Sequence, residues 1–316
     1  MTVPGESTFW YYIIVNSLIA VTVFFVFVFL NEFLRHIKYP FSSKGVEDDS
    51  CSSPNCIRCR SSLLEKELLL IKLREYLHES GAKPEDLDRL NESIIEGTRV
   101  VDYERSCSPQ RPTTLALLGL NSKPWHDGVY SCDIQELCSE ANIDVITSEV
   151  ETVIKDLSEG WVHNTSPSGS WYIFHLYNQG EKVENNCRRC PQTTALVEKV
   201  RPFMTGCAFG NAVISVITPG TLISPHYGPT NCRVRCHVPL VVPSGCKLTV
   251  DLEERQWRRG VPLVFDDSFL HEVSHSGPSG RRIVLMLDLW HPDVSVAERK
   301  AICHLFSNFN WIESSR

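Results

Sequence analysis

The chain contains no lysine- or arginine-rich run, and its 31 Lys+Arg against 38 Asp+Glu leave a net charge of -7. A nucleic-acid partner would need a basic footprint and is disfavoured. No internal repeat is visible, so a recognition array of stacked repeats is not expected. Charge is also missing from residues 9–30, "FWYYIIVNSLIAVTVFFVFVFL", where Asn16, Ser17 and Thr22 are the interruptions beyond the aromatic hydroxyls. About 20 such residues match the hydrocarbon core of a bilayer, and Trp10, Tyr11 and Tyr12 suit one membrane interface. Met1 to Ser7 carry no lysine or arginine, and Asn31–Lys38 offer no small-residue cleavage site. Both absences argue against a cleaved signal peptide and for an uncleaved single-pass anchor.

The length of 316 residues fits one large domain plus an appendage, or two modest domains. Arg35, Lys38 and Lys44 follow the anchor, which by the positive-inside rule places the bulk of the chain in the cytoplasm. Two sequons, Asn91-Glu92-Ser93 and Asn164-Thr165-Ser166, would be usable only in a lumenal domain. The 13 cysteines leave at least one unpaired and favour neither side. Residues 1–8 read as a tail, 9–30 as the anchor and 31–60 as a Cys/Ser-rich linker. Within the linker, the spacing of Cys51, Cys56 and Cys59 admits iron–sulfur ligation, acylation near the membrane or no special role.

Residues 61–110 read as a helical stalk. Apolar positions in "LLEKELLLIKLREYL", 63–77, recur at helical spacing, Gly81 is a stop, and a second helix runs from Pro84 to near Gly97. Such a hairpin serves as a spacer between membrane and domain in preference to a partner contact. Another helical region is expected over 133–158. After Gly160 the pattern changes to short β-like runs, among them "SWYIFHLYNQG", "NAVISVITPG", "CRVRCHVPLVVPSG", "CKLTVDL", "VPLVFDDS" and "RRIVLMLDLWHP". Short strands at that spacing predict a sandwich, barrel or jelly roll. Residues 111–316 are therefore expected to form one α+β domain, a double-stranded β-helix with flanking helices, behind one transmembrane helix.

In "CRVRCHV" the parity of a strand puts Val234, Cys236 and Val238 on one face and Arg233, Arg235 and His237 on the other. If the apolar face packs against outer helices, the basic face points inward. Buried guanidiniums are costly without an anion, and arginine's fork matches a carboxylate. That face is expected to await a carboxylate ligand; a polar outer strand face would show the same parity. His226 ends "ITPGTLISPH", and His271 lies in "VFDDSFLHEV" just before the turn leading to Arg282. Cys187-x2-Cys190 could be a disulfide or, with a second pair, a zinc site, but no second CxxC exists.

The segments "PHYGPTNCRVRCHVPLVVP", "GCKLTV", "FDDSFLHEV" and "RRIVLMLDLWHP" resemble the aspartyl/asparaginyl β-hydroxylase family over roughly residues 111–305. The resemblance implies an Fe(II)/2-oxoglutarate-dependent dioxygenase that consumes O2 and hydroxylates the β carbon of Asp or Asn in a protein substrate. It implies His226 and His271 as iron ligands, with Arg235, His237, Arg282, Ser215 and Trp171 around 2-oxoglutarate and Arg233 toward the substrate side chain. It also favours a type II arrangement in the secretory pathway with a lumenal domain, against the flanking charges. Many oxygenases add a carboxylate two residues after the first histidine. Here that residue is Gly228, as in the family itself, leaving a two-histidine site. Asp266 and Asp267 are near enough to be considered as a third ligand, though a turn or supporting role suits them better. A membrane-tethered binding module that keeps the fold and hydroxylates nothing is the alternative; a halogenase using the space at Gly228 fits the surrounding motif poorly.

Overall fold

A computed structural model describes residues 16, 22, 26, 66–97, 109–128, 132–164, 166 and 168–307. It divides into two units, 1–47 and 48–316. In the first, Asn16, Thr22 and Val26 are helical and exposed. Among the described residues no helix is long and apolar enough to cross a membrane. The rest of the 9–30 segment, the 31–60 linker with Cys51, Cys56 and Cys59, and Thr165 lie outside the described residues.

The second unit is mixed α/β with antiparallel sheets. Its helices are α1 (Lys66–Ser80), α2 (Asp88–Gly97), α3 (Cys132–Leu137), α4 (Glu140–Val153), α5 (Glu184–Arg189), α6 (Pro191–Glu198) and α7 (Val296–Leu305). The strands are β1 (Trp161–Asn164), β2 (Trp171–Asn178), β3 (Glu181–Lys182), β4 (Ala212–Ile217), β5 (Leu222–His226) and β6 (Arg233–Val241). They continue with β7 (Cys246–Val250), β8 (Glu253–Arg255), β9 (Leu263–Phe265), β10 (His271–His275) and β11 (Arg282–Trp290). One sheet has the order β1-β2-β4-β11-β6-β9 with β3 beside β2; the other has the order β5-β10-β7-β8. From β4 onward the chain crosses between the two at every step except the β7–β8 hairpin, which is the double-sheet jelly-roll arrangement.

Two-sided burial explains the composition of the larger sheet. Val234, Cys236 and Val238 of β6 and Leu285, Leu287 and Leu289 of β11 pack outward onto Ile143, Ile146 and Val150 of α4. The other face of that sheet, with Ile217, Val284 and Phe265, meets Leu248, Val250 and Val273 of the smaller sheet. At roughly 25 cal/mol per Å² of apolar area removed from water, such clusters supply most of the driving force for folding. Pro239 cannot donate to a ladder, and the β6–β11 register shifts beside it, pairing Val284 with Pro239 but Ile283 with Val241.

The helices before the sheets are not a spacer, which corrects the stalk expectation. Leu69, Leu73, Leu87, Leu90 and Ile94 share a core cluster with Trp290, Ile302, Leu305 and Phe306. Arg89 clasps Glu298 with Nε at 2.7 Å and Nη2 at 2.6 Å. An amphipathic hairpin shows an apolar face in sequence but not what covers it; here α7 does. The expected 133–158 helix breaks at Ser139, which is extended and starts α4. The capping box Ser295/Glu298 that starts α7 was readable as "SVAE". In the first sequon Asn91 is half-buried and Glu92 exposed. Ser93 is fully buried, and the Nδ2 of Asn164 is buried without a hydrogen-bond partner among the described residues.

Candidate functional site

His226 ends β5 and His271 begins β10, and the two residues are direct cross-strand partners. Opposite residues in an antiparallel pair project from the same face, and the imidazole centroids lie 4.1 Å apart. Each ring is aimed by a carbonyl two residues earlier: His226 Nδ1 lies 2.8 Å from Ser224 O and His271 Nδ1 lies 2.9 Å from Phe269 O. A carbonyl only accepts, so each Nδ1 carries the proton and each Nε2 the lone pair. His271 is buried, and desolvation, then the His226 neighbour, pull its pKa well below the ordinary value, keeping it neutral. Two imidazoles side by side, each with Nδ1 turned to a carbonyl and Nε2 left to face outward, fit a divalent transition metal. Among the described residues no third His, Cys, Asp or Glu joins them.

The arginine face of β6 points inward as expected, but the chain supplies its own carboxylates. Arg233 donates Nη2 to Asp267 Oδ2 at 2.5 Å and Nη1 to Asp288 Oδ2 at 3.1 Å, and reaches Phe209 O. Arg235 donates Nε to Asp288 Oδ1 at 2.9 Å, and its Nη1 lies 3.2 Å from Asp267 Oδ2. Burial pushes the Asp267 carboxyl up, but Arg233 and Arg235 outweigh it and hold the group below the usual carboxylate range. The Arg233 guanidinium, expected from the sequence to face the substrate side chain, is taken up by Asp267, Asp288 and the Phe209 carbonyl. The guanidinium of Arg235 is likewise engaged by Asp288 and Asp267, not held open for 2-oxoglutarate.

This network explains Gly228. A Cβ there would lie 2.5 Å from both Cγ and Oδ1 of Asp267, so Asp267 fills the space a carboxylate at 228 would need. Gly228→Ala is expected to cost about 1–3 kcal/mol by overpacking against a side chain that two arginines immobilise. Urea denaturation of the purified protein checks it.

Four of the remaining expected residues converge between the sheets. Arg282 is 1 % exposed. Its Nη1 lies 3.4 Å from Ser215 Oγ, its Cζ lies 5.0 Å from the Trp257 ring centroid, and its Nε is buried without a hydrogen-bond partner among the described residues. No carboxylate among the described residues pairs with it. Desolvation lowers its pKa to about 10, which still leaves it charged at neutral pH. Trp171 Nε1 donates to Ser215 Oγ at 3.1 Å. His237 accepts from Trp257 Nε1 at 3.2 Å through Nδ1. Burial, then Arg282 and Arg235, push His237 well below its ordinary pKa, so it is neutral with the proton on Nε2, and that atom too is buried and unsatisfied. Phe265 bridges to the metal pair, with centroids 5.0 Å from His237 and 5.7 Å from His271.

Asp266 plays a different part from Asp267. It accepts from Ser268 N at 2.9 Å, Ser268 Oγ at 2.5 Å and Gln110 Nε2 at 2.6 Å. Burial nevertheless raises its pKa from 3.8 to about 7. The folded protein thus holds this proton more tightly than the unfolded chain. Its contribution is fully present below about pH 4 and is lost as pH rises through about 7. Asp266→Asn should remove a decline on the order of 4 kcal/mol across that window, visible as a flatter plot of unfolding free energy against pH.

The description "Aspartyl/Asparaginyl beta-hydroxylase" belongs to a family model that matches residues 140–292. Aspartate beta-hydroxylase domain-containing protein 2 of Homo sapiens is 40% identical over 265 residues, covering 81% of this chain and 70% of that one. The chain belongs to the aspartyl/asparaginyl β-hydroxylase family. The aspartyl/asparaginyl beta-hydroxylase of Mus musculus is 38% identical over 192 residues, covering 58% of this chain but 25% of that one. A solved oxidoreductase of the 2OG-Fe(II) oxygenase family from Burkholderia pseudomallei overlaps 48% of this chain and 78% of that one at 15% identity, with a TM-score of 0.35. So loose an overlap carries no argument; the family match does. It begins at the first residue of α4 and ends just past β11, enclosing both sheets and every residue of the two clusters above.

Reading the sequence missed Asp288 and Trp257. Asp288 shares parity with Arg282 in "RIVLMLDLW" and is the one acid in that strand, a usable signal. Trp257 lies in the connection between β8 and β9 and had none. Cys187 and Cys190 are free thiols. Cys187 Sγ donates to Leu176 O at 3.2 Å, and burial raises Cys190 to about 12.

Proposed function

We propose that the chain is a 2-oxoglutarate-dependent dioxygenase whose iron is held by His226 and His271. The observation that carries this reading is Arg282, a buried guanidinium with no acidic partner among the described residues. It stands beside Ser215 and the unsatisfied His237 Nε2, in the same inter-sheet space as the histidine pair. A buried cation persists at a cost of several kcal/mol unless an anion meets it, and a keto diacid supplies both the far carboxylate and the metal-binding end. Bound between the histidines, iron would supply O2 activation and C–H oxidation.

The chain's own groups do the positioning. Ser215 Oγ accepts from Trp171 and from Arg282, so its own proton is directed onward to a carboxylate oxygen. Trp257 fixes the His237 tautomer and covers one face of the Arg282 guanidinium. Phe265, itself buried, stands as an apolar wall between the two clusters. Asp267 and Asp288 neutralise Arg233 and Arg235, which leaves Arg282 as the positive end of the site.

The substrate we propose is an Asp or Asn side chain of a protein or peptide, and the 9–30 segment is the proposed membrane tether, with the domain on the lumenal side. Succinate formation from 2-oxoglutarate, with iron and candidate Asp- or Asn-containing peptides, tests the activity. His271→Ala should abolish it. Equal succinate from both proteins would favour the silent binding module instead.

A further inference from the structure

We propose that Trp125 is a substrate contact, its indole N–H donating to the side-chain oxygen that aspartate and asparagine have in common. This rests on the reading of the site given above and adds to it a residue that meets the substrate. Trp125 lies in "KPWHDG", a segment that lengthens the larger sheet beyond β9. It bridges Phe265 in antiparallel fashion, while His126 N donates to Val264 O at 2.9 Å and Asp266 N to Pro124 O at 3.0 Å. Directly opposed residues of antiparallel neighbours project from the same face. Phe265 belongs to the cluster between the sheets, and Trp125 joins it there. The two ring centroids lie 5.8 Å apart, and Phe265 in turn stands 5.7 Å from His271.

The indole is clamped. Arg255 Cζ lies 4.1 Å from its ring centroid, and that guanidinium is tied to Asp127 at 2.6 Å and 3.0 Å and to Glu253 at 2.6 Å. Trp125 thus spans from β9, at one end of the larger sheet, to β8, at one end of the smaller. It is 6 % exposed, and its Nε1 is buried without a hydrogen-bond partner among the described residues. A buried indole N–H usually finds an acceptor, and an unmade bond there costs the fold. Because an N–H only donates, the missing partner is an acceptor oxygen. Register says whose. The row through Trp125 runs across Phe265 and Arg235 to Asp288, whereas Arg282 opens β11, roughly 20 Å away along that strand. The far carboxylate of 2-oxoglutarate is assigned to Arg282, so the acceptor at the Trp125 end belongs to the substrate. A carboxylate and a carboxamide each present such an oxygen, and the isosteric leucine presents none. A lone donor therefore admits both polar side chains and rejects the apolar one.

The probes are the N-acetyl, N-methylamide derivatives of aspartate, asparagine and leucine, given to the full chain loaded with Mn(II) and 2-oxoglutarate. Mn(II) broadens the proton resonances of any probe held beside it. The aspartate and asparagine probes should broaden at their β protons, and the leucine probe should not. Trp125→Phe keeps a ring for Arg255 and Phe265 and removes the N–H. It should raise the concentration of either polar probe needed for half-maximal broadening about tenfold, with 2-oxoglutarate affinity and Tm unchanged. A second measurement needs no folded variant to show the contact. With Zn(II) in place of Mn(II), the indole N–H resonance of Trp125 in the wild-type chain should move downfield when the aspartate probe is added. Succinate plays no part in either measurement, so a chain that turns nothing over but shows both results would sink the dioxygenase reading and leave this one standing. Equal broadening by wild type and Trp125→Phe, a leucine probe that broadens like the aspartate one, a static indole resonance, or lost 2-oxoglutarate affinity in the variant would overturn the proposal.

Discussion

Arg282→Met should weaken 2-oxoglutarate binding about a hundredfold while leaving the ligand-free protein at least as stable. The two halves of this result have opposite causes. In the ligand-free fold Arg282 is fully buried, with Ser215 Oγ at 3.4 Å and the Trp257 ring as its contacts. Replacing an uncompensated buried charge by an apolar side chain of similar length is neutral or stabilising. With ligand present, the same change strands a carboxylate in a desolvated space, a loss of roughly 2–5 kcal/mol, where each 1.4 kcal/mol is tenfold in affinity. Calorimetric titration of 2-oxoglutarate with a redox-inert divalent metal, paired with urea denaturation, reads both halves. Unchanged affinity would place the far carboxylate elsewhere.

Asp267→Ala should behave in the reverse manner, costing about 3–5 kcal/mol of folding stability. Removing this one carboxylate leaves Arg233 Nη2 and Arg235 Nη1, now 2.5 Å and 3.2 Å from Asp267 Oδ2, facing no counter-charge in the protein interior. Asp288 remains, but it already serves both arginines and accepts from Asn211 at 2.9 Å. The diagnostic partner is Arg233→Met. In a double-mutant cycle the pair should recover a substantial part of the loss, because the second change removes the charge that the first one stranded. Strict additivity would mean that the two groups are not coupled. A metal-binding role for Asp267 would show instead as lost metal affinity at unchanged stability.

Strand parity alone placed Arg233, Arg235 and His237 on one face and Val234, Cys236 and Val238 on the other, and the structure has them so. Parity could not say whether the facing anion is a ligand or the protein. That depends on register, which sets Asp288 opposite Arg235, and on the turn after β9 that carries Asp267. The histidine pair was readable as two motifs, but their contact arises because β5 and β10 are neighbours although Arg233–Phe265 intervenes between them. Neither β5 nor β10 shows a long apolar run, and no residue of β5, at the sheet edge, is fully buried. Docking of α1 and α2 onto α7 was illegible for a similar reason: a stripe of leucines specifies burial, not the surface that provides it.

The most direct test is diffraction from crystals of the protein soaked with Fe(II) or Mn(II) and a 2-oxoglutarate analogue, with anomalous data collected at the metal edge. The expected result is a single peak in contact with the Nε2 atoms of both His226 and His271, and the analogue's far carboxylate on Arg282. A peak touching neither histidine, or an analogue bound outside the space between the sheets, would contradict the assignment.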